Sequence, residues 1–518
     1  MQNNYNMLTD SDKMNIPLLL KSICVGICTA IVVILYRMTL TYAEQLAFGI
    51  YDFFRENIIA IPFLFIGLCI VGYVVGYLVS KNKMISGSGI PQLKGQLMGY
   101  LKNDWLHTLW AKFMGGTLGI ISGLSLGREG PSIQLGACVA EGIGKKLGQN
   151  RLERKILMVS GASAGLAAAF NAPLAGVLFA LEEVFKYFSP IILLSTMSSA
   201  IIADFISKQV FGMEAIFQFD IQGSIPLQDY WMLILLGILL GIMGVLYNSI
   251  LLKSQELYRK INFLNSRVKL IIPFIGAGLL GLTFPAVLGG GHHMIEYFNL
   301  SSGIFFLFAL FVIKFLFSMV SFGSGAPGGI FFPLLILGAT LGSIFASISV
   351  HYFGYNETLF YNFVIVAMAG YFTAIVRAPI TGIVLILEMT GSFSHLLSLT
   401  VVSLTAYVVA DLLKSQPIYE SLLDNLLKAS NHEELEEEHS KKIMIELLVQ
   451  YGAALEGKQV KELKWPSKCL LVSIKRGDKE ILPKGDTQIK AGDYLLVLTD
   501  INSEWKTRKK LEKMNTLS

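Results

Sequence analysis

The chain has 518 residues, of which 53% are hydrophobic and only 15% charged, with 42 Lys and Arg against 37 Asp and Glu. Soluble domains carry about 25% charged residues, so a purely aqueous protein is excluded. A net charge of +5 over this length gives no footing for nucleic-acid binding.

Residues 1–15 are polar and lack the cationic run and cleavage site of a signal peptide, which makes Ile16 the expected start of the first membrane helix. Ile58–Ser80, Tyr230–Leu252 and Met389–Ala410 contain no Asp, Glu, Lys or Arg, and each is long enough to cross a bilayer core of roughly 30 Å. The charge-free stretch between Lys314 and Glu357 is too long for one span and too rich in glycine for one straight helix. It predicts two or more helices with a buried break. The five cysteines (Cys24, Cys28, Cys69, Cys138, Cys469) are an odd set, four of them in apolar surroundings, and read as small space-filling residues rather than a metal site.

Three segments interrupt this apolar background: Gly87-Ser88-Gly89-Ile90-Pro91, Gly127-Arg128-Glu129-Gly130-Pro131 and Gly329-Ile330-Phe331-Phe332-Pro333. Each ends in a proline, which suits the first turn of a helix. A helix starting there aims unpaired N–H groups and the positive end of its dipole into the membrane interior. Three such starts describe a dehydrated anion site. Helix starts and hydroxyls can replace an anion's water without the tight grip of a full positive charge. Ser88 offers a hydroxyl at a break, Ile330 and Phe331 offer amides, and Tyr419 offers a phenol after the last apolar run.

Glu129 adds a titratable anion of the protein's own at a helix start, where intramembrane acids are functional by default. A carboxylate that competes with the transported anion, and takes up a proton when displaced, couples the two. Arg128 is a candidate ion-pair partner. Glu182 and Glu183 close another apolar helix; one of them is either a solvated helix end or an entry port for protons. His292 and His293, after Gly289-Gly290-Gly291, read as loop residues.

The membrane part repeats itself. Ala172–Glu182 matches Ala378–Glu388, and Pro131–Ala137 matches Pro333–Ala339. Glu388 therefore stands where Glu182 does, which marks both as architectural, while Met389 stands opposite Glu183. Homologous halves with breaks in corresponding places point to a transport site at the repeat interface. Beyond about Leu427 the composition shifts to a charged run, His432 to His439, then to a small α/β unit. Leu470–Ile474 and Gly492–Leu498 are its expected strands, Glu480–Pro483 follows a turn, and a basic amphipathic helix closes the chain from Ser503.

These motifs resemble the CLC chloride channel and transporter family. GSGIP, GREGP and a GxFxP-type segment occur in order, with Ala167–Gly176 and the late tyrosine, over about Ile16 to Leu427. The resemblance implies an all-α polytopic fold of two inverted halves of broken, tilted helices (about 16–220 and 221–427). It further implies a homodimer in the plasma membrane with both termini cytoplasmic, including segment 1–15. Ser88 and Tyr419 match the side-chain chloride ligands and the Ile330 and Phe331 amides the central donors. Glu129 matches the external gating glutamate and Glu183 the internal proton glutamate. The helix-start motifs are Gly87, Gly89, Pro91, Gly127, Arg128, Gly130, Pro131, Gly329 and Pro333. One departure is that Gln92 and Lys94 follow Pro91, where some prokaryotic exchangers carry acids.

After a linker at 428–442, residues 443–502 resemble the RCK_C, or TrkA-C, regulatory domain. The residues that carry this are Gly457–Leu463, Ser473–Gly477, Pro483–Thr487 and Gly492-Asp493, with 503–518 as a basic tail. Such domains dimerise, and some bind a small ligand, cyclic di-AMP among them. Eukaryotic relatives carry different domains here, so the tail suggests a bacterial chain.

The expected function is proton-coupled chloride antiport, with chloride and protons as cargo, no required cofactor, and modulation through the tail. A passive voltage- or ligand-gated chloride channel, an exchanger for fluoride or nitrate, and a signalling receptor are the alternatives. The resemblance makes Glu183 an argument for coupling over a channel and Ser88 an argument for chloride. No nucleophile–base set, metal motif or phosphate-binding loop supports an enzyme.

Overall fold

The computed structural model describes residues 16–515 apart from 187, 220–222, 224, 262–263, 431–441, 467–468, 478 and 501–503. Segment 1–15, the charged run His432–His439 and residues 431–441 of the 428–442 linker therefore lie outside the described residues. The chain divides into Met1–Leu426 and Leu427–Ser518.

In the first half of the larger unit, α1 (Ile16–Glu56) and α2 (Ile61–Lys81) precede a short α3 (Ile90–Met98). Then come α4 (Trp105–Ile121), α5 (Glu129–Lys146), α6 (Arg151–Phe170), α7 (Pro173–Phe179) and α8 (Pro190–Phe211). The second half follows the same plan: α9 (Tyr230–Lys260), α10 (Ser266–Lys269), α11 (Ile271–Thr283), then a 3-10 segment His292–Tyr297 in the place of α3. It continues with α12 (Ile304–Gly323), α13 (Phe331–Phe353), α14 (Phe360–Val376), α15 (Pro379–Thr390), α16 (Leu396–Leu412) and α17 (Ile418–Ser430). Among the described residues, eight helices are long and apolar enough to cross a membrane.

The outer helices are apolar on both faces, as lipid requires. In α1, Val25, Val33 and Leu40 are buried, yet Ile27, Ile31 and Leu35 on the other face are exposed. The inner helices α13 and α14 are buried over almost their whole length. Small residues let such helices approach closely. Between α5 and α6, a Cβ on Gly136 or Gly161 would collide with the other's carbonyl oxygen.

Both halves make the same sharp reversal before their Ala-Pro pairs. α6 ends on Asn171 at φ 52° and α14 on Arg377 at φ 68°, left-handed caps after which Pro173 and Pro379 start new helices. The buried break expected between Lys314 and Glu357 lies between α12 and α13. One expectation needs correction. Met389–Ala410 is not a single span, because Gly391 ends α15 in a left-handed cap at φ 68° and α16 starts at Leu396. A charge count does not register that Gly391 stop.

The smaller unit holds an antiparallel sheet of β1 (Lys442–Leu448), β2 (Cys469–Arg476), β3 (Lys479–Ile481) and β4 (Tyr494–Asp500), in the order β1-β4-β2-β3. Ile445, Leu455, Ile474, Leu495 and Val497 form its core. The segment read as a basic tail contains α18 (Glu504–Met514), which packs Leu511 into that core. The Asn515 side chain donates to the Leu448 carbonyl at 2.7 Å.

Candidate anion and proton site

The three breaks are joined to one another through their backbones. Gly127 and Gly329 exchange two N–H···O bonds of 2.7 Å in an isolated antiparallel bridge. The Gly328 amide donates to the Gly87 carbonyl at 2.9 Å, and the Ser86 hydroxyl donates to the Gly325 carbonyl at 3.0 Å. Antiparallel pairing of corresponding residues is what a two-fold relation between the halves produces. Gly87 and Gly89 sit at φ 60° and 87°, which only glycine adopts freely. A Cβ on Gly130 would lie 2.8 Å from that of Ser88, so the first two breaks touch.

α3, α5 and α13 start at these breaks, with Pro91, Pro131 and Pro333 in their opening turns. Their caps, Gly89, Arg128 and Ile330, make no side-chain capping bond, so the leading amides are left to other partners. Ser88 is buried, and its oxygen accepts from the Ile90 amide at 3.3 Å, which leaves its proton available to an anion.

Glu129 is the first residue of α5 and fully buried; among the described residues no donor meets hydrogen-bond geometry to its carboxylate, and the backbone amides of Glu129 itself and Phe332 are the donors nearest to doing so. Arg128 Nε lies 3.9 Å from Oε1, a loose ion-pair contact outside hydrogen-bonding range. A small pocket on this side is lined by Arg128, Glu129, Glu44, His292 and Phe332. His292 stacks on Phe332 at 4.0 Å, so it lines the approach to Glu129 rather than an unrelated loop.

Phe331 opens α13 within an aromatic cluster: its ring lies 5.4 Å from Phe170, 5.7 Å from Phe179 and 4.7 Å from Phe372. Tyr419 stands edge-on to Phe179 at 6.3 Å, buried, and among the described residues its hydroxyl has no hydrogen-bond partner. It is within electrostatic reach of both Glu129 and Glu183. Among the described residues, a buried phenol and a buried carboxylate thus both lack a well-formed hydrogen bond, which is uncommon for buried polar groups. A cavity of about 400 Å³ reaches Ser88 and Gln92, with Lys83, Arg259 and Lys269 among its lining cations.

Glu183 is set apart from this cluster. α7 gives way to a π-helical turn, Ala180–Phe185, which ends on left-handed Lys186. The turn rotates Glu183 inward, to 2% exposure, where Lys94 Nζ donates to it at 2.7 Å.

A family model described as "Voltage gated chloride channel" matches residues 67–411. The chain belongs to this CLC family. A TrkA-C domain model matches residues 444–511. Among CLC relatives, the H(+)/Cl(-) exchange transporter ClcA of Salmonella paratyphi A is 32% identical over 442 residues, covering 82% of this chain and 92% of that protein. The ClcA of Vibrio cholerae serotype O1 is 38% identical over 370 residues, 70% of this chain and 78% of the relative. The solved structure of a slow cyanobacterial Cl-/H+ antiporter superposes with a TM-score of 0.75 at 31% identity, covering 80% of this chain and 99% of that one. The CLC architecture and the small sheet domain thus agree with the sequence reading.

Two residues of this CLC chain were missed from sequence. Lys112 Nζ donates to the carbonyls of Ile85 at 2.9 Å and Gly87 at 2.6 Å. Lys314 does the same for Val287 and Gly289, at 2.8 Å each. Both are fully buried. Each fastens the loop ahead of a break in its own half, and the available signal was a lone lysine inside an apolar helix.

Proposed function

We propose that this chain is a proton-coupled chloride antiporter, modulated through its TrkA-C domain. The observation that carries the reading is the buried Glu129 carboxylate, held only loosely by Arg128, at a helix start that is hydrogen-bonded to a second helix start. Helix-start amides favour an anion there, and Glu129 competes for the same donors. In this reading Ser88 and Tyr419 give hydroxyl protons to chloride, and the Ile330 and Phe331 amides complete its shell. A proton on Glu129 releases it to make way for chloride, and Glu183 delivers protons from the opposite side. The names of the ClcA relatives and the cyanobacterial antiporter support exchange rather than passive flow.

The setting we propose follows the family resemblance: a homodimer in a bacterial plasma membrane, with both termini cytoplasmic. Cyclic di-AMP is the candidate ligand for the TrkA-C domain, tested by a shift in that domain's thermal stability on titration.

The deciding experiment uses purified protein in liposomes with a chloride gradient and a pH probe. Uphill proton movement that reverses with the gradient is expected. Chloride flux with no proton movement would make the protein a channel and leave Glu183 a structural acid.

A further inference from the structure

Lys94 and Glu183 form an ion pair with both side chains at 2% exposure or less, and with the ammonium 2.7 Å from one carboxylate oxygen. A pair so deeply buried is costly to assemble, and removing one partner strands the other as an uncompensated charge. α3 brings Lys94 to this place from the Ser88 break, so the element that begins at the anion path also ends the isolation of the second carboxylate. Where the chain departs from the acids of some prokaryotic exchangers, it has placed a cation against Glu183.

Among the described residues, the other charged or titratable groups facing Glu183 are few, and the Tyr419 phenol of α17 is one of them. Lys186, at the end of its own turn, is paired with Glu420 of α17, and both are partly exposed. Glu182 is engaged with the start of α15. α7 carries no titratable residue, and α6, which also packs on this turn, has Arg151, Glu153, Arg154 and Lys155 only at its opening end. Among the described residues, Lys94 is the charged group hydrogen-bonded to this carboxylate.

We infer that Lys94 is a positioning residue for proton transfer: it orients the Glu183 carboxylate and sets the pH at which that carboxylate accepts a proton. An adjacent cation favours the ionised carboxylate. Proton loading therefore requires a more acidic medium with Lys94 present than without it. Burial favours the neutral acid and the Lys94 ammonium works against it, so the pair holds the carboxylate ionised over a wider pH range than burial alone would allow.

This inference rests on the exchange reading of Glu183, and the test separates the two. Proton-coupled flux of the full-length protein in liposomes is followed across a pH series for the wild type, Lys94→Met, Lys94→Gln, Lys94→Arg, Glu183→Gln and Lys94→Met/Glu183→Gln. Absence of proton movement in the wild type overturns the exchange reading itself. With coupling present, Lys94→Met is expected to move the midpoint of proton flux upward by about one pH unit or more, with Lys94→Arg close to wild type. In the Glu183→Gln background, Lys94→Met should leave the pH profile of chloride flux where it was. If Lys94→Met does not fold, Lys94→Gln, which keeps a donor without the charge, carries the same expectation. An unmoved midpoint in the neutral variants, or an equal shift of chloride flux with Glu183 already replaced, overturns the role of Lys94.

Discussion

Glu182 and Glu388 occupy matching positions in the two halves, and each closes a helix start of the other half. The Glu182 carboxylate accepts from the Thr381 amide at 2.8 Å and hydroxyl at 2.7 Å, and from the Ile380 amide at 3.3 Å. The Glu388 carboxylate accepts from the Ala175 and Leu174 amides, at 2.8 and 3.1 Å. A carboxylate on orphan amides combines hydrogen bonding with the dipole of the capped helix. The repeat is thus latched by its own symmetry, one acid from each side. Glu182→Ala and Glu388→Ala should each cost about 1.5–3 kcal/mol, the range for hydrogen bonds to a charged group. Melting in detergent checks this, with chloride flux of the surviving protein expected to persist.

Glu129→Gln should uncouple chloride from protons. The amide has nearly the shape of the acid but cannot ionise, so it cannot rival chloride for the helix-start amides. Expected in liposomes is chloride flux that no longer changes with a proton gradient. Proton pumping that survives this change would remove Glu129 from the coupling.

Gly130→Ala should close the path while sparing the fold. The added Cβ would press on Ser88, 2.8 Å from its Cβ and 3.0 Å from its carbonyl oxygen. Strain of about 1–3 kcal/mol at an overpacked contact corresponds to roughly a tenfold loss or more if it falls on the conducting geometry. Chloride efflux beside an unchanged elution profile distinguishes this from unfolding.

In the smaller unit, the Asp493 carboxylate is fully buried and takes two 2.8 Å bonds from Arg476 and one of 2.8 Å from the Lys490 amide. Burial alone would raise its proton affinity, but the Arg476 and Lys490 bonds outweigh that and hold it below the ordinary aspartate range. A group depressed on folding stabilises the fold above its unfolded value and loses that contribution as pH falls through the folded one. Stability should therefore drop below about pH 4. Asp493→Asn should weaken the unit at neutral pH and flatten this acid dependence. Limited proteolysis of the full-length chain across a pH series reports both.

The helix breaks, Glu129 and the doubled plan were legible because glycine, proline and a lone acid are conspicuous among apolar residues. The two central strands of the small domain, β2 and β4, were legible for the converse reason, apolar runs between turns. What stayed hidden depends on partners distant in sequence. Nothing near Gly127 announces that its amide donates to Gly329, and Lys94 carries no local mark of Glu183. Lys112 and Lys314 act on backbone carbonyls, which every residue possesses, so no sequence pattern names their targets. β1 and the burial of Leu511 likewise came from pairing and packing, since the first strand follows directly on a charged run.

The Gly127–Gly329 bridge also bears on how this chain can change over evolutionary time. A wall made of glycine peptide groups admits few codon changes at its bends, since Gly87 and Gly89 hold left-handed φ and a Cβ on Gly127 or Gly130 would meet a neighbour. Under the proposed antiport, innovation is funnelled into the few positions where a side chain enters the site, Ser88, Glu129 and Tyr419. Ion preference and energy source can then be rewritten one residue at a time while the scaffold is inherited intact.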